Sequence, residues 1–145
     1  MIYAGIDIGS ITAKAAVIKD NRLFGTHVIL TGYDPINAGI KVFDTLLKQI
    51  KISKTQISNI VSTGYGRASV NFADKALTEI ICHGTGAYFM NPEIRGIIDV
   101  GGQDSKAIFL NKKGQVENFA MNDKCAAGTG RFLEVMAKAL EVDLG

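Results

Sequence analysis

The stretch Asp7-Ile8-Gly9-Ser10-Ile11-Thr12-Ala13-Lys14 recurs in outline ninety-two positions later as Asp99-Val100-Gly101-Gly102-Gln103-Asp104-Ser105-Lys106. Each copy follows a short apolar run and has an Asp at the predicted strand end, a Gly two residues on and a Lys seven residues on. One Asp-x-Gly after a strand is common and usually marks only a turn. Two copies in matching register favour a phosphate clamp, because glycines let backbone N–H groups approach phosphate oxygens and two carboxylates can hold a hydrated Mg²⁺. The repeat therefore predicts a nucleotide site built from two related halves.

The bulk composition is that of an ordinary globular protein. The 145 residues are 47% hydrophobic and 21% charged, with a net charge of +2. The basic residues are scattered, which gives no electrostatic case for a nucleic-acid partner. No apolar run is long enough to span a bilayer, and the amino terminus has no basic lead-in, so we expect no membrane association and a cytoplasmic location.

Hydrophobic periodicity predicts mixed α/β layers. The first helix should bury one face, and the order of elements restarts after residue 91. We therefore predict one half at 1–91, with the first turn, and the start of a second half at 92–145. The expected strands are 2–8, 13–19, 23–30, 57–62, 97–100, 106–110 and 115–121, the expected helices are about 36–50, 74–90 and 129–142, and the apolar face of the first helix is Ile36, Ile40, Phe43, Leu47 and Ile50.

A cysteine, Cys125, immediately precedes small residues, a glycine turn and an amphipathic helix pattern. A thiolate at a helix N-terminus is stabilised by unpaired N–H groups and by the helix dipole, which suits it to bind iron or an anionic iron–sulfur cluster. Considered alone, a buried structural cysteine beside a phosphate loop is the commoner case.

Two other motifs predict structure rather than chemistry. Cys82 and His83 are adjacent, so they point to different faces of a helix and make poor joint metal ligands, and we expect Cys82 in the core. The segment 63–67 lacks the G-K-[ST] ending of a P-loop and is predicted to be a loop at the cleft rim.

Four motifs together carry a family resemblance: NDKCAAGTGRFLEVMA, IDVGGQDSK, STGYGR and CHGTGA. They resemble the activator ATPases (component A) of 2-hydroxyacyl-CoA dehydratases, in the BadF/BadG/BcrA/BcrD ATPase family, which also includes ATPase subunits of benzoyl-CoA reductases. The resemblance implies an actin-like ATPase fold with ribonuclease-H-like topology, of which this chain holds the first half and the beginning of the second. It also implies that ATP turnover drives an electron from ferredoxin or flavodoxin, at low potential, into the dehydratase or reductase component.

The resemblance further implies roles for individual residues. Asp7 and Asp99 flank Mg²⁺ and the attacking water, and Gln103 positions the γ-phosphate. Cys125 is the first ligand of a [4Fe-4S] cluster shared across a homodimer, to which each subunit gives two cysteines. Ile11 stands where the family more usually has Thr, which costs one hydroxyl but keeps the amide. The residues expected to contact ATP or ADP are Gly9, Ser10, Ile11, Thr12, Lys14, Gly101, Gly102 and Gln103.

One departure keeps other functions open. Members of the family run well past residue 145, and the further region carries the second cysteine ligand and the adenosine loop, so we expect this chain to be an amino-terminal fragment. An actin-like small-molecule kinase, with Asp104 or Asp123 as the base, is one alternative. A non-catalytic fragment that binds a partner through a sheet edge is another.

The resemblance also implies a hinge that joins the second helix to the second half. The small residues Gly84, Gly86 and Ala87 fit this hinge, because they let crossing helices pack closely.

Overall fold

The computed structural model describes residues 1–125 and 127–143. The chain divides into two compact units, Met1–Glu79 and Ile80–Gly145. Helix α2 (Glu79–Met90) falls almost entirely in the second unit, whereas the sequence predicted this helix in the first half. The division into domains at 1–91 and 92–145 stays a prediction.

The first unit is built on a five-stranded sheet with the order β3-β2-β1-β4-β5. The first three strands are antiparallel neighbours, and β4 and β5 run parallel to β1. This is the strand order of a ribonuclease-H-like half, so the predicted fold class is confirmed. The strands are β1 (Ile2–Ile8), β2 (Thr12–Lys19), β3 (Arg22–Leu30), β4 (Asn59–Thr63) and β5 (Lys75–Ala76).

Helix α1 (Pro35–Ile50) covers one face of this sheet. It begins where the Asp34 carboxylate accepts the Asn37 N–H at 3.0 Å, with Pro35 in the first turn, and it ends at Lys51 in a left-handed conformation. The predicted apolar face is partly wrong, because Ile36 and Ile40 are exposed. The small residues Ala38 and Gly39 lie against the sheet instead, since they let the helix approach closely. The buried residues of α1 are Ala38, Gly39, Val42, Phe43, Leu46 and Leu47.

The predicted start of the second helix at residue 74 is wrong. Helix α2 (Glu79–Met90) begins five residues later, and β5 occupies part of the gap. The Asp74 carboxylate accepts the Ile60 N–H at 2.7 Å, and the Leu77 N–H donates to the Ser62 carbonyl at 2.9 Å. Polar groups of this segment therefore pair with β4 instead of forming a helical turn.

The second unit holds a three-stranded antiparallel meander in the order β6-β7-β8. Ile108 and Leu110 are buried on the face that contacts α2. A Cβ on Gly84 would lie 2.9 Å from Val116 Cγ2 and 3.1 Å from Leu110 Cδ2, so this glycine permits close packing of helix on sheet. The expectation that Gly84, Gly86 and Ala87 form a hinge where helices cross stays a prediction. The remaining elements are β6 (Gly96–Val100), β7 (Ser105–Leu110), β8 (Val116–Asn122) and α3 (Gly130–Leu140).

Apolar side chains on the second unit are unusually exposed. Ile98, Val100 and Phe109 share the sheet face opposite Ile108, and Ile98 is 84% exposed. Helix α3 has the predicted apolar stripe, but none of its residues is buried. Within residues 1–125 and 127–143, no helix combines the length and apolar character needed to cross a membrane.

Candidate functional site

The two Asp-x-Gly turns repeat in structure as they do in sequence. In the first, the Gly9 N–H donates to the Thr12 carbonyl at 3.0 Å. In the second, the Gly101 N–H donates to the Asp104 carbonyl at 2.8 Å, ninety-two positions later. Each turn joins two antiparallel strands whose facing residues include one Asp and one Lys. The repeat therefore extends to the hydrogen bond that closes each turn.

The first turn fixes the carboxylate of Asp7 at the end of β1. The Lys14 ammonium lies 2.9 Å from Asp7 Oδ2, across the strand pair. Thr31, at the end of β3, braces the turn, because its N–H donates to the Ile11 carbonyl at 2.9 Å and its hydroxyl donates to the Gly9 carbonyl at 2.8 Å. No sequence pattern identifies Thr31 as a site residue, since its position beside the turn depends on the register of β2 with β3.

The loop after β4 also lies against Asp7. Gly64 has a φ of +87°, and a Cβ there would collide with Asp7 Oδ1 and with the Ile8 carbonyl. The Gly66 N–H donates to that same carbonyl at 2.8 Å. The sequence carries a signal for this contact, because β1 and β4 are both apolar strands. If such strands pair in parallel, their carboxyl ends lie at the same edge of the sheet. The predicted rim loop is therefore packed directly on the first turn.

The second turn holds its lysine much more deeply. The Lys106 side chain is 3% exposed, and its ammonium lies 2.7 Å from Asp104 Oδ1 and 3.6 Å from Asp99 Oδ2. A buried charge of this kind is stable only when paired. Asp104 is thus committed to an ion pair, which makes it a poor substrate base for the kinase alternative. Asp99 Oδ2 lies closer to His83 Nδ1 on α2, at 3.0 Å, than to the Lys106 ammonium.

The residues expected to contact phosphate divide into exposed or strand-end side chains and turn amides that already have acceptors. Ser10 and Gln103 are exposed, and Thr12 opens β2. The amides of Gly9 and Gly101 donate to the Thr12 and Asp104 carbonyls and so close their own turns in this structure. Phosphate contacts of Gly9, Gly101, Gly102 and Ile11 stay predictions.

Cys125 is exposed, but it does not sit on the helix N-terminus. The N-cap of α3 is Thr129, four residues later, and its hydroxyl accepts the Phe132 N–H. The N–H groups of Gly130 and Arg131 donate to the carbonyls of Gly101 and Gly102, at 2.8 and 3.3 Å. The expectation that unpaired helix amides stabilise the Cys125 thiolate is therefore wrong, because those amides already have acceptors.

The remaining candidates do not form a metal centre. Cys82 is partly buried on α2, not fully buried as expected, and His83 is paired with Asp99. Asp123 is exposed after β8. In the part of the chain that the structure describes, no three His, Cys, Asp or Glu side chains converge to hold a metal ion. The carboxylates of Asp7 and Asp99 do offer the oxygen ligands that Mg²⁺ takes together with nucleotide phosphates and water.

Known proteins match nearly the whole length of this chain. The sequence model of the BadF/BadG/BcrA/BcrD ATPase family matches residues 4–144. The activator of lactoyl-CoA dehydratase from Anaerotignum propionicum is 47% identical over 145 residues, which are 99% of this chain and 56% of that protein.

Two solved structures are similar throughout this chain. Component A of (R)-2-hydroxyglutaryl-CoA dehydratase from Acidaminococcus fermentans has a TM-score of 0.93 and 39% identity, over 99% of this chain and 55% of its own. The activator of 2-hydroxyisocaproyl-CoA dehydratase from Clostridium difficile, with bound ADPNP, has a TM-score of 0.89 and 43% identity, over 99% and 53%. This chain thus spans just over half the length of these relatives.

Proposed function

Because this chain belongs to the BadF/BadG/BcrA/BcrD ATPase family, we propose that it binds Mg-ATP through its two Asp-x-Gly turns and takes part in ATP hydrolysis. The observation that carries the proposal is the duplication of the turn, with the same closing hydrogen bond and the same cross-strand Asp–Lys pair. An ordinary strand turn has no reason to recur with both features. The solved relative with bound ADPNP supports a nucleotide as the ligand.

Asp7 and Asp99 are proposed to flank the magnesium ion and the attacking water. Bound Mg²⁺ would neutralise phosphate charge during hydrolysis. Asp7 is held between the Lys14 ammonium and the Gly64 backbone, which fixes its carboxylate before the nucleotide arrives. Lys14 is half exposed, so its remaining hydrogens can donate to phosphate.

The second turn is proposed to transmit the state of the nucleotide. Gln103, exposed in that turn, is suited to contact the γ-phosphate, since its amide both donates and accepts. The adjacent carbonyls of Gly101 and Gly102 accept hydrogen bonds from the first two residues of α3. A shift of the turn on loss of the γ-phosphate would therefore move the start of α3 and the Cys125 segment before it.

We further propose that the protein serves as an activator of a 2-hydroxyacyl-CoA dehydratase or benzoyl-CoA reductase component. In this role it works as a homodimer, receives an electron from ferredoxin or flavodoxin, and uses Cys125 as one ligand of a [4Fe-4S] cluster. The residues of this chain fit such a cluster only in part. Two copies offer two Cys125 thiolates, whereas a cubane needs four ligands. No step through the cluster is therefore assigned to these residues.

The test is anaerobic reconstitution of the full-length protein with iron and sulfide. We expect a brown chromophore in the wild type and in Cys82→Ser, and its loss in Cys125→Ser, while nucleotide binding persists in all three. Electron delivery to the dehydratase should be lost with the chromophore. A Cys125→Ser variant that keeps its chromophore would exclude this cysteine as a ligand.

A further inference from the structure

His83 contacts the carboxylate that the proposed function places at the magnesium site. The ring lies on α2, and its Nδ1 is 3.0 Å from Asp99 Oδ2 on β6. An ionised carboxylate only accepts hydrogen bonds, so Nδ1 must carry the hydrogen. Nothing in the nucleotide turns themselves predicts this partner, because it comes from a helix earlier in the chain.

The comparison between repeats shows what the histidine changes. In the first repeat the lysine is the close partner of its strand-end aspartate, at 2.9 Å from Lys14 to Asp7. In the second, Lys106 lies closer to Asp104, at 2.7 Å, than to Asp99, at 3.6 Å. The imidazole is thus the closer partner of the strand-end aspartate in the second repeat, as the lysine is in the first.

The histidine is held in place by its neighbour. Gly84, the next residue, is buried so tightly that a Cβ would contact Val116 and Leu110. The backbone of α2 is therefore fixed against the sheet at this point, and an imidazole has only two side-chain torsions. The His83 side chain is 36% exposed, but it has fewer torsions to order than the flexible four-carbon stem of a lysine when it presents Nδ1–H to Asp99.

We propose that His83 is a positioning residue for Asp99. Its Nδ1–H donates to Asp99 Oδ2, and the Lys106 ammonium lies 3.6 Å from the same oxygen. This contact fixes the orientation of the carboxylate, so that Oδ1 would be in place for magnesium or the attacking water before the nucleotide binds. This inference rests on the proposed function, since it assigns Asp99 to that site.

The first test needs no activity. Nitrogen-15 NMR of the imidazole rings should show His83 with hydrogen on Nδ1 in its neutral form, and Asp99→Ala should abolish that signature. His27, the other histidine of the sequence, is the internal reference. A neutral His83 with hydrogen only on Nε2 would overturn the inference.

The second test separates positioning from structure. In the full-length protein, His83→Ala should lower kcat for ATP hydrolysis about tenfold and raise the Mg²⁺ concentration needed for half-maximal rate, as loss of an orienting partner does. KM for ATP and the urea unfolding midpoint should change little. His83→Asn, whose amide can donate from a similar position, should retain most of the rate, and His27→Ala should match the wild type.

The outcomes are distinguishable from failure of the proposed function. A wild-type protein without ATP hydrolysis contradicts both. Hydrolysis that requires Asp99 but is unaffected by His83→Ala overturns only the role given to His83. Equal losses in His83→Ala and His83→Asn, with a lowered unfolding midpoint, would show that the histidine is merely structural.

Discussion

The backbone N–H of Gly130, the first residue of α3, donates a 2.8 Å hydrogen bond to the carbonyl oxygen of Gly101 in the second turn. The next amide of the helix, that of Arg131, binds Gly102. A helix start normally leaves such donors to a cap or to water. Here they tie the helix after Cys125 to the turn that carries Asp99.

The N-cap of α3 should control this connection. Thr129 is fully buried and its hydroxyl accepts the Phe132 N–H. We expect Thr129→Ala to lower the free energy of unfolding by about 1 kcal/mol and to speed hydrogen exchange at Gly130 and Arg131. Thr129→Ser keeps the hydroxyl and should cost much less. Equal exchange rates in both variants would show that the cap does not hold the helix start.

Gly64 should be essential to the first turn. An alanine there would adopt a strained positive φ and would collide with Asp7. We expect Gly64→Ala to destabilise the protein by about 1–3 kcal/mol, measured by urea unfolding, and to weaken nucleotide binding. Gly5→Ala lies on the same strand as Asp7 with nothing within 4 Å of the new Cβ, and should be close to neutral. A tolerated Gly64→Ala would mean that the loop does not pack on Asp7 as described.

The two lysines of the repeat should differ in their contribution to stability. Lys106 is 3% exposed and lies between two carboxylates, whereas Lys14 is 46% exposed. Lys106→Met removes a buried ammonium from between two partly exposed carboxylates, leaves Asp104 without its 2.7 Å partner, and should lower the free energy of unfolding by about 2 kcal/mol. Lys14→Met should cost less than about 1 kcal/mol. Urea unfolding measures the free energy of unfolding of both variants. Equal losses in the two variants would contradict the prediction.

The isolated chain should associate with itself. Ile98, Val100 and Phe109 form an exposed apolar sheet face, and exposed patches of this kind promote association. Sedimentation velocity should detect dimers or larger species, and Ile98→Lys should reduce them. Tyr33→Lys adds the same charge at an exposed residue of the first unit and should have no effect. A monodisperse wild-type monomer would contradict this prediction.

Local patterns in the sequence predict most of the strands and helices, because alternation and helical spacing are properties of neighbouring residues. The Asp-x-Gly repeat likewise predicts both turns, whereas the facing of Asp and Lys across each strand pair follows only from the strand register. The start of α2 is not predicted, because residues 74–77 bond to β4, and that choice depends on the sheet. Ile36 and Ile40 have helical spacing, yet the helix presents its smaller residues to the sheet.

The contacts around the site are harder to predict for a related reason. His83 reaches Asp99 only because Gly84 lets α2 pack closely on the second sheet, which no periodic pattern reveals. Thr31 reaches the first turn through the register of β2 with β3. The unpaired amides expected near Cys125 are absent from α3 because the second turn supplies their acceptors, a tertiary arrangement that the motif does not encode.

The most direct test of the two-turn Mg-ATP site is ATP hydrolysis by the full-length protein carrying Asp7→Asn or Asp99→Asn. Each substitution keeps the shape of the side chain but removes the charge that would hold magnesium and the attacking water. We expect each to lower kcat by about 10²-fold or more while the protein stays folded by circular dichroism. Asp44→Asn, at an exposed position on α1, should hydrolyse ATP at the wild-type rate. Normal turnover by both turn variants would contradict the assignment of the two turns to Mg-ATP.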